Sequence, residues 1–352
     1  MKRSNATGVL ALCLIAGSGW LLPQLWPSLH LDELPFPLPQ CLHYALIAIL
    51  AWPFAVARRS PPIPTHSISL HPSPSSSHHP PPYVVSLSSF AKRRTCCGTR
   101  SCLALALAGV LLIALPALVL DASEPAVSSF TAAVIFAAIP LITVLCVSAG
   151  LFEASLNEAP FGEASFNNQP TNAMLPRMAS AVLGLSGALL LFPAVLPGSL
   201  RGTLAFAAVL ACAVLAAIAG LWIYNLLQTV SFSRAVALVA TANALAFALR
   251  ALWVPHAGLG SLIRASLAPE LLRALAYELP LLVLTLALMR RLDPVRLSAR
   301  FLFIPLVTVL EGAAFLRISL VPRNLFALLF LAAGGLLVLL GRVPRQMPNF
   351  LP

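Results

Sequence analysis

The sequence predicts an all-α polytopic membrane protein, with about ten transmembrane helices arranged as two inverted five-helix repeats. Three observations carry that expectation. Apolar residues make up 59% of the 352-residue chain and charged residues only 9%, and the mean hydropathy is +0.91. The apolar residues fall in long runs that show no two-residue alternation. A short proline-containing heptad recurs once in each half.

A soluble domain needs roughly a quarter of its residues charged to cover its surface. This chain cannot cover itself with polar groups, so its outer face must meet lipid. Each crossing of the hydrocarbon takes about 20 apolar residues in a helix. Ten runs qualify, at roughly 7–22, 41–57, 101–120, 127–151, 176–197, 202–226, 233–254, 271–291, 299–318 and 324–342. Lipid admits only helices or closed barrels, and the missing alternation selects helices.

The first run follows Lys2 and Arg3 and resembles a signal peptide. No small-x-small cleavage site follows it, so it reads as an uncleaved span. The second is shortened by Pro53 and its polar flanks. Between the second and third lies a segment of different composition. Residues 60–82 hold eight Pro, seven Ser and four His. That leaves almost nothing to bury, and a disordered cytoplasmic insertion over 60–95 is expected.

The net charge is +11, from 22 basic and 11 acidic residues. The basic residues sit between apolar runs and form no basic face, which argues against nucleic acid as a partner. They read as topology determinants and contacts for anionic lipid headgroups. With the N-terminus inside, 16 of the 22 fall on the inner side, including Arg58, Arg59, Lys92, Arg93, Arg94, Arg290 and Arg291. Both termini are therefore placed in the cytoplasm and the chain in the cytoplasmic (inner) membrane. The loop 152–176 fits less well, since it carries Glu153, Glu158 and Glu163, but acids weigh little in orientation. Seven cysteines show no metal-ligand spacing; Cys96, Cys97 and Cys102 cluster without a following His or Cys pair, and Cys13, Cys146 and Cys212 lie in apolar runs. No disulfide, metal or cofactor is expected.

The organising feature is an internal echo. Residues 139–145 read Ile-Pro-Leu-Ile-Thr-Val-Leu and residues 304–310 read Ile-Pro-Leu-Val-Thr-Val-Leu, each in the fourth span of a five-span half. A Gly-containing span follows each, with Gly187 in one half and Gly334 and Gly335 in the other. Duplication divides the chain into 1–197 and 198–352. Five is odd, so the second copy must insert upside down, an arrangement that recurs in transporters with a midplane site. Pro140 and Pro305 lack the N–H that would bond the carbonyls of Phe136 and Phe301, so a kink and a free acceptor are expected at each. Thr143 and Thr308 stand three residues on and can bond nearby carbonyls.

With these features the chain resembles the drug/metabolite transporter superfamily, in its EamA-like branch. The resemblance rests on the five-plus-five plan, on Gly-Ser-Gly-Trp at 17–20, and on the two proline-centred helices. It implies a carrier of amino acids, metabolites or cationic compounds. Family members often place a Glu about 13 residues after the proline; Glu153 occupies that place after Pro140, whereas the second half has Ile318.

A charge at bilayer depth costs about 2.5–3.5 kcal/mol on insertion scales, so each needs a reason. Glu311, midway along its span, is the leading candidate for binding a cationic group or carrying a coupling proton. The alternative is a carboxylate satisfied by a neighbouring helix, for instance by Arg250. Glu278 is expected to pair with Arg273 or to sit at headgroup level. Asn243 and Thr241 lie mid-span and suit either substrate or interhelical hydrogen bonds. Trp222 and Tyr224 read as interfacial aromatics, Arg250 as a snorkelling side chain, and His43 and His256 as interfacial. The expected site is thus Glu311, Thr308, Thr143 and Asn243, with Pro140 and Pro305 as kinks. The expected partners are a small-molecule solute, membrane lipids and, as an option, a second copy in a homodimer.

Two other classes compete with a carrier. Gly184-Leu185-Ser186-Gly187 matches a rhomboid-type intramembrane protease motif, yet a nucleophilic Ser needs a base and His256 is the only option. Intramembrane aspartyl proteolysis needs paired Asp, whereas Asp32, Asp121 and Asp293 read as loop residues. His-Glu-x-x-His and a Walker loop are absent from the sequence. A non-transporting membrane scaffold is the third reading, and it predicts no central polar cavity.

Overall fold

The computed structural model describes residues 3–19, 36–57, 99–149, 171–192, 197–253, 267–317 and 320–340. The 60–95 insertion, Trp20, Glu153, His256 and Ile318 lie outside the described residues. Helices occupy all ten places the apolar runs predict: α1 Arg3–Ser18, α2 Leu38–Ala57, α3 Thr99–Ser123, α4 Ser129–Ser148, α5 Thr171–Leu191, α6 Leu200–Thr229, α7 Phe232–Leu252, α8 Leu267–Arg291, α9 Pro294–Phe315 and α10 Pro322–Leu340. Eight of them are long and apolar enough to cross a membrane, while α1 and α5 offer the shorter apolar stretches Thr7–Ser18 and Leu175–Leu191. Among the described residues there is no strand. The chain is an all-α, multi-pass membrane protein. Its outer surface carries Leu103, Leu175, Leu245, Leu249, Phe326 and Leu329, all exposed. Such a belt is costly in water and suits acyl chains.

Contact registers set the helix directions. Gly8 lies on Leu288 and Gly19 on Tyr277, so α1 and α8 are antiparallel. Arg177 meets Asp293 while Gly184 meets Leu302, so α5 and α9 are parallel. Gly109 meets Val239 and Asp121 meets Arg250, so α3 and α7 are parallel. Gln228 at the end of α6 reaches the carbonyl of Arg290 at the end of α8, so these two are parallel. Cys41 meets Ala244 and Trp52 meets Thr241, so α2 and α7 are antiparallel. With the short links after α3, α6 and α8, odd helices run one way and even helices the other. The end holding the start of α1 is called proximal below, and the opposite end distal.

Two seams dominate the packing. In the first, α5 and α10 meet backbone to backbone. A Cβ on Gly334 would lie 2.4 Å from the Gly184 nitrogen, and one on Gly187 would lie 2.6 Å from the Leu331 nitrogen. Small residues allow this close approach, which is how helices associate when lipid supplies no hydrophobic drive. The second seam joins α2 to α7. Tyr44 stacks on Phe247 at 5.8 Å and Phe36 meets the same ring edge-on at 6.0 Å, while Trp52 Nε1 donates to Thr241 Oγ1 at 3.0 Å.

Helices α3 and α8 share a feature that hydropathy does not reveal. Each contains a π turn, Val110–Ala114 in one and Ala274–Glu278 in the other, and each turn runs directly into Leu-Pro. In α3 the Leu115 N–H bonds the carbonyl of Val110, five residues back. The Ala114 N–H thereby loses its usual acceptor. Asn243 Oδ1 of α7 replaces it at 3.0 Å, and the Asn243 amide donates to Val239 at 2.8 Å. A buried N–H without a partner is costly in lipid, which explains why a fully buried Asn stands there.

The two proline helices are not alike. α4 is interrupted at Ala138, so Pro140 sits in the first turn of the following segment, Ile139–Ser148, where its missing N–H costs nothing. Pro305 lies inside the continuous segment Arg300–Phe315, and the interruption of α9 comes earlier, at Ala299. Asp293, expected in a loop, caps α9 by accepting from Val295 N–H at 3.1 Å. Asp121 belongs to the last turn of α3.

Candidate functional site

Two polar features lie inside the bundle, one towards each end. The proximal one is a cleft between α3 and α4 on one side and α6, α8 and α9 on the other. Its walls are mainly apolar, from Leu112, Ile139, Met289 and Phe301. Four polar side chains interrupt them: Thr143, Tyr224, Ser298 and Arg300. Gly220 of α6 opens onto empty space, since a Cβ there would touch nothing within 4 Å. Arg300 is 8% exposed, and its guanidinium lies 4.8 Å from the centre of the Phe301 ring. Close by, the buried Arg177 pairs with Asp293 at 3.7 Å.

The distal feature is a cluster around His43. His43 Nε2 lies 2.8 Å from Glu270 Oε2, with both residues buried. Nδ1 of the same ring is 4.0 Å from Glu278 Oε1. In an ideal helix, positions eight apart are turned by about 80° from one another. The π turn of α8, Ala274–Glu278, follows Glu270 and ends on Glu278, and it inserts one extra residue. The offset shrinks to about 20°, so both carboxylates face α2. Tyr277 donates its hydroxyl to the carbonyl of Ala16 at 3.3 Å, stitching α8 to α1. Glu311 of α9 lies within electrostatic range of Tyr277. Nδ1 of His43 and Oε1 of Glu270 have no hydrogen-bond partner. A buried imidazole flanked by two acids can pass a proton or hold a positive charge.

The four residues expected to form one site occupy three places. Thr143 lines the cleft, with its hydroxyl bonded to the Ile139 carbonyl at 2.8 Å. Thr308 bonds the Ile304 carbonyl at 3.0 Å, and its backbone faces Gly17 of α1. Glu311 follows on the same helix near the distal cluster. Asn243 is engaged in the α3–α7 seam and does not line the cleft. Arg250, considered as a partner for Glu311, instead meets Asp121 at 3.5 Å. Glu278 is drawn to His43. In the Gly184–Gly187 motif, Ser186 donates to the Leu183 carbonyl at 2.7 Å and both glycines serve close helix contacts with α9 and α10.

Sequence reasoning placed His43 at the interface, whereas it is buried against Glu270, and it passed over Glu270 and Arg300. The available signal was the spacing of Glu270 and Glu278, two acids in the same half of one apolar span. Arg300 was counted only as a topology charge, since a basic residue near a span end normally reaches headgroups.

No family profile matches the sequence, and no curated protein matches it. The fold has precedent, since fifteen solved chains match it. One, named only "Crystal structure of protein", aligns over 97% of this chain and 99% of its own, with a TM-score of 0.62 at 13% identity. That likeness concerns the fold alone.

Proposed function

We propose that the protein is a secondary transporter that carries a small metabolite across the membrane by alternating access. In this reading all ten helices span, and residues 1–197 and 198–352 are inverted repeats. The observation that carries it is an exchange rule. Replacing each helix by the one five places away reproduces the most extensive of the helix contacts. The α5–α10 and α2–α7 seams each join a helix to its own counterpart. The contacts α1–α8, α4–α5 and α3–α7 map onto α6–α3, α9–α10 and α8–α2, all of which occur. Counterparts run in opposite directions, as an in-plane pseudo-twofold requires. The paired π turns before Leu-Pro in α3 and α8 are counterparts as well, as are the carbonyl-bonded Thr143 and Thr308.

Inverted repeats with a polar cleft between them suit a carrier whose halves rock about a central site. The resemblance to the EamA-like branch points the same way, with both termini cytoplasmic. The test is accessibility. A cysteine at Leu221, in the cleft wall, is expected to react with a membrane-impermeant maleimide from one side in the resting state. Imposing a solute gradient should shift reactivity to the other side. Labelling from one side only under every gradient would refute alternating access.

A further inference from the structure

We propose that the cleft receives a small organic anion, whose carboxylate or phosphate is held by Arg300; this deepens the transport reading and rests on it. Among the described residues, Arg300 is the only charged one lining the cleft. It is more than nine-tenths buried, and no described carboxylate lies within 4.0 Å of it. The acid nearest in sequence, Asp293, is otherwise engaged: Oδ1 caps Val295 and Oδ2 faces Arg177. The other buried acids gather in the distal cluster around His43.

A guanidinium cannot discharge by losing its proton, and a buried charge without a partner is strongly unfavourable. An incoming anion would supply that partner. The hydroxyls of Thr143 and Ser298 give their protons to carbonyls of their own helices, at 2.8 Å and 2.6 Å, so neither is left as a donor that could substitute for Arg300. Arg300 opens the sixteen-residue segment Arg300–Phe315, whose N-terminal dipole adds positive potential. The Phe301 ring beneath the guanidinium holds the fork in place, and a planar fork suits carboxylate and phosphate oxygens in two-point contact. Apolar walls of Leu112, Ile139 and Met289 suit an organic body on the anion.

The test uses full-length protein purified in detergent and in proteoliposomes. The probes are 4-methyl-2-oxopentanoate for the carboxylate arm, glycerol 3-phosphate for the phosphate arm, and choline and glucose as cationic and neutral controls. At least one anion is expected to raise the melting temperature saturably and to be taken up. Arg300→Gln should weaken its binding about 10–150-fold, the worth of a charge-assisted hydrogen bond, and Arg300→Lys should fall between. Should the Gln variant fold poorly, the Lys variant alone decides, since it keeps the charge and loses the fork. Unchanged anion binding in both variants overturns the assignment. Saturable uptake of choline or glucose, with neither anion bound, overturns the anion class and leaves transport standing. No binding or flux of any probe would defeat both readings.

Discussion

Replacing Asn243 by Leu isolates the link between α3 and α7. The change keeps the branched shape of Asn and removes one acceptor, so the Ala114 N–H is left without a partner at zero exposure. The Val239 carbonyl, which loses the Asn243 amide, still has its helical N–H. An orphaned buried donor costs about 1–3 kcal/mol, whereas interhelical bonds in lipid average about 0.6 and reach about 1.7 kcal/mol. A backbone N–H fixed in a π turn has no second choice of acceptor, which places the expected loss at about 1–2 kcal/mol. For a chain of this size that corresponds to a fall of roughly 1–3 °C in melting temperature, read by thermal unfolding in detergent. Pro116→Ala gives the decisive comparison. Without the proline the π turn can relax to α and the Ala114 N–H can regain the Val110 carbonyl. The double variant should therefore lose less than the two single changes summed. Strict additivity, or a loss below about 0.5 kcal/mol for Asn243→Leu, would refute the account of why the amide stands there.

Other perturbations separate packing from transport. Gly220→Leu projects into open cleft space, so melting should hold within about 1 kcal/mol of wild type while uptake falls at least tenfold; unchanged uptake would remove the cleft from the route. Gly334→Val forces a side chain into the Gly184 backbone, and a loss of about 1–3 kcal/mol is expected by thermal unfolding. His43→Ala strands Glu270, with a loss of roughly 3–5 kcal/mol that Glu270→Gln in the same chain should largely restore; equal melting of single and double variants would contradict the pairing. Glu311→Gln tests the remaining acid: unchanged flux and pH dependence in proteoliposomes would exclude it from coupling.

Helix positions were legible because lipid imposes one rule on every span, a run of apolar residues of fixed length. The proline heptads were legible as sequence echoes. The π turns in α3 and α8 were not, since a one-residue widening leaves hydropathy unchanged and is visible only through displaced hydrogen bonds such as Ala114 to Asn243. The assembled site was harder still. His43 and Glu270 are 227 residues apart, and nothing local in α2 announces a carboxylate from α8. Thr143 was placed in the cleft for a sound reason, a hydroxyl beside a proline in a repeated helix. Asn243 stood out only as a mid-span polar residue, suited to a substrate or to an interhelical bond, and the bond to α3 is the use it has. Arg300 escaped notice because its position near a span start fits a headgroup contact, and only the tertiary fold turns it inward.

The glycine contact between α5 and α10 constrains how such a molecule could move. With backbone resting on backbone, no flexible side chain remains between these helices to absorb sliding. They belong to different halves of the chain, which the α2–α7 seam joins through side chains instead. If the halves rock as proposed, the glycine contact is the natural doorpost, and the wider travel falls to the side away from Gly187 and Gly334.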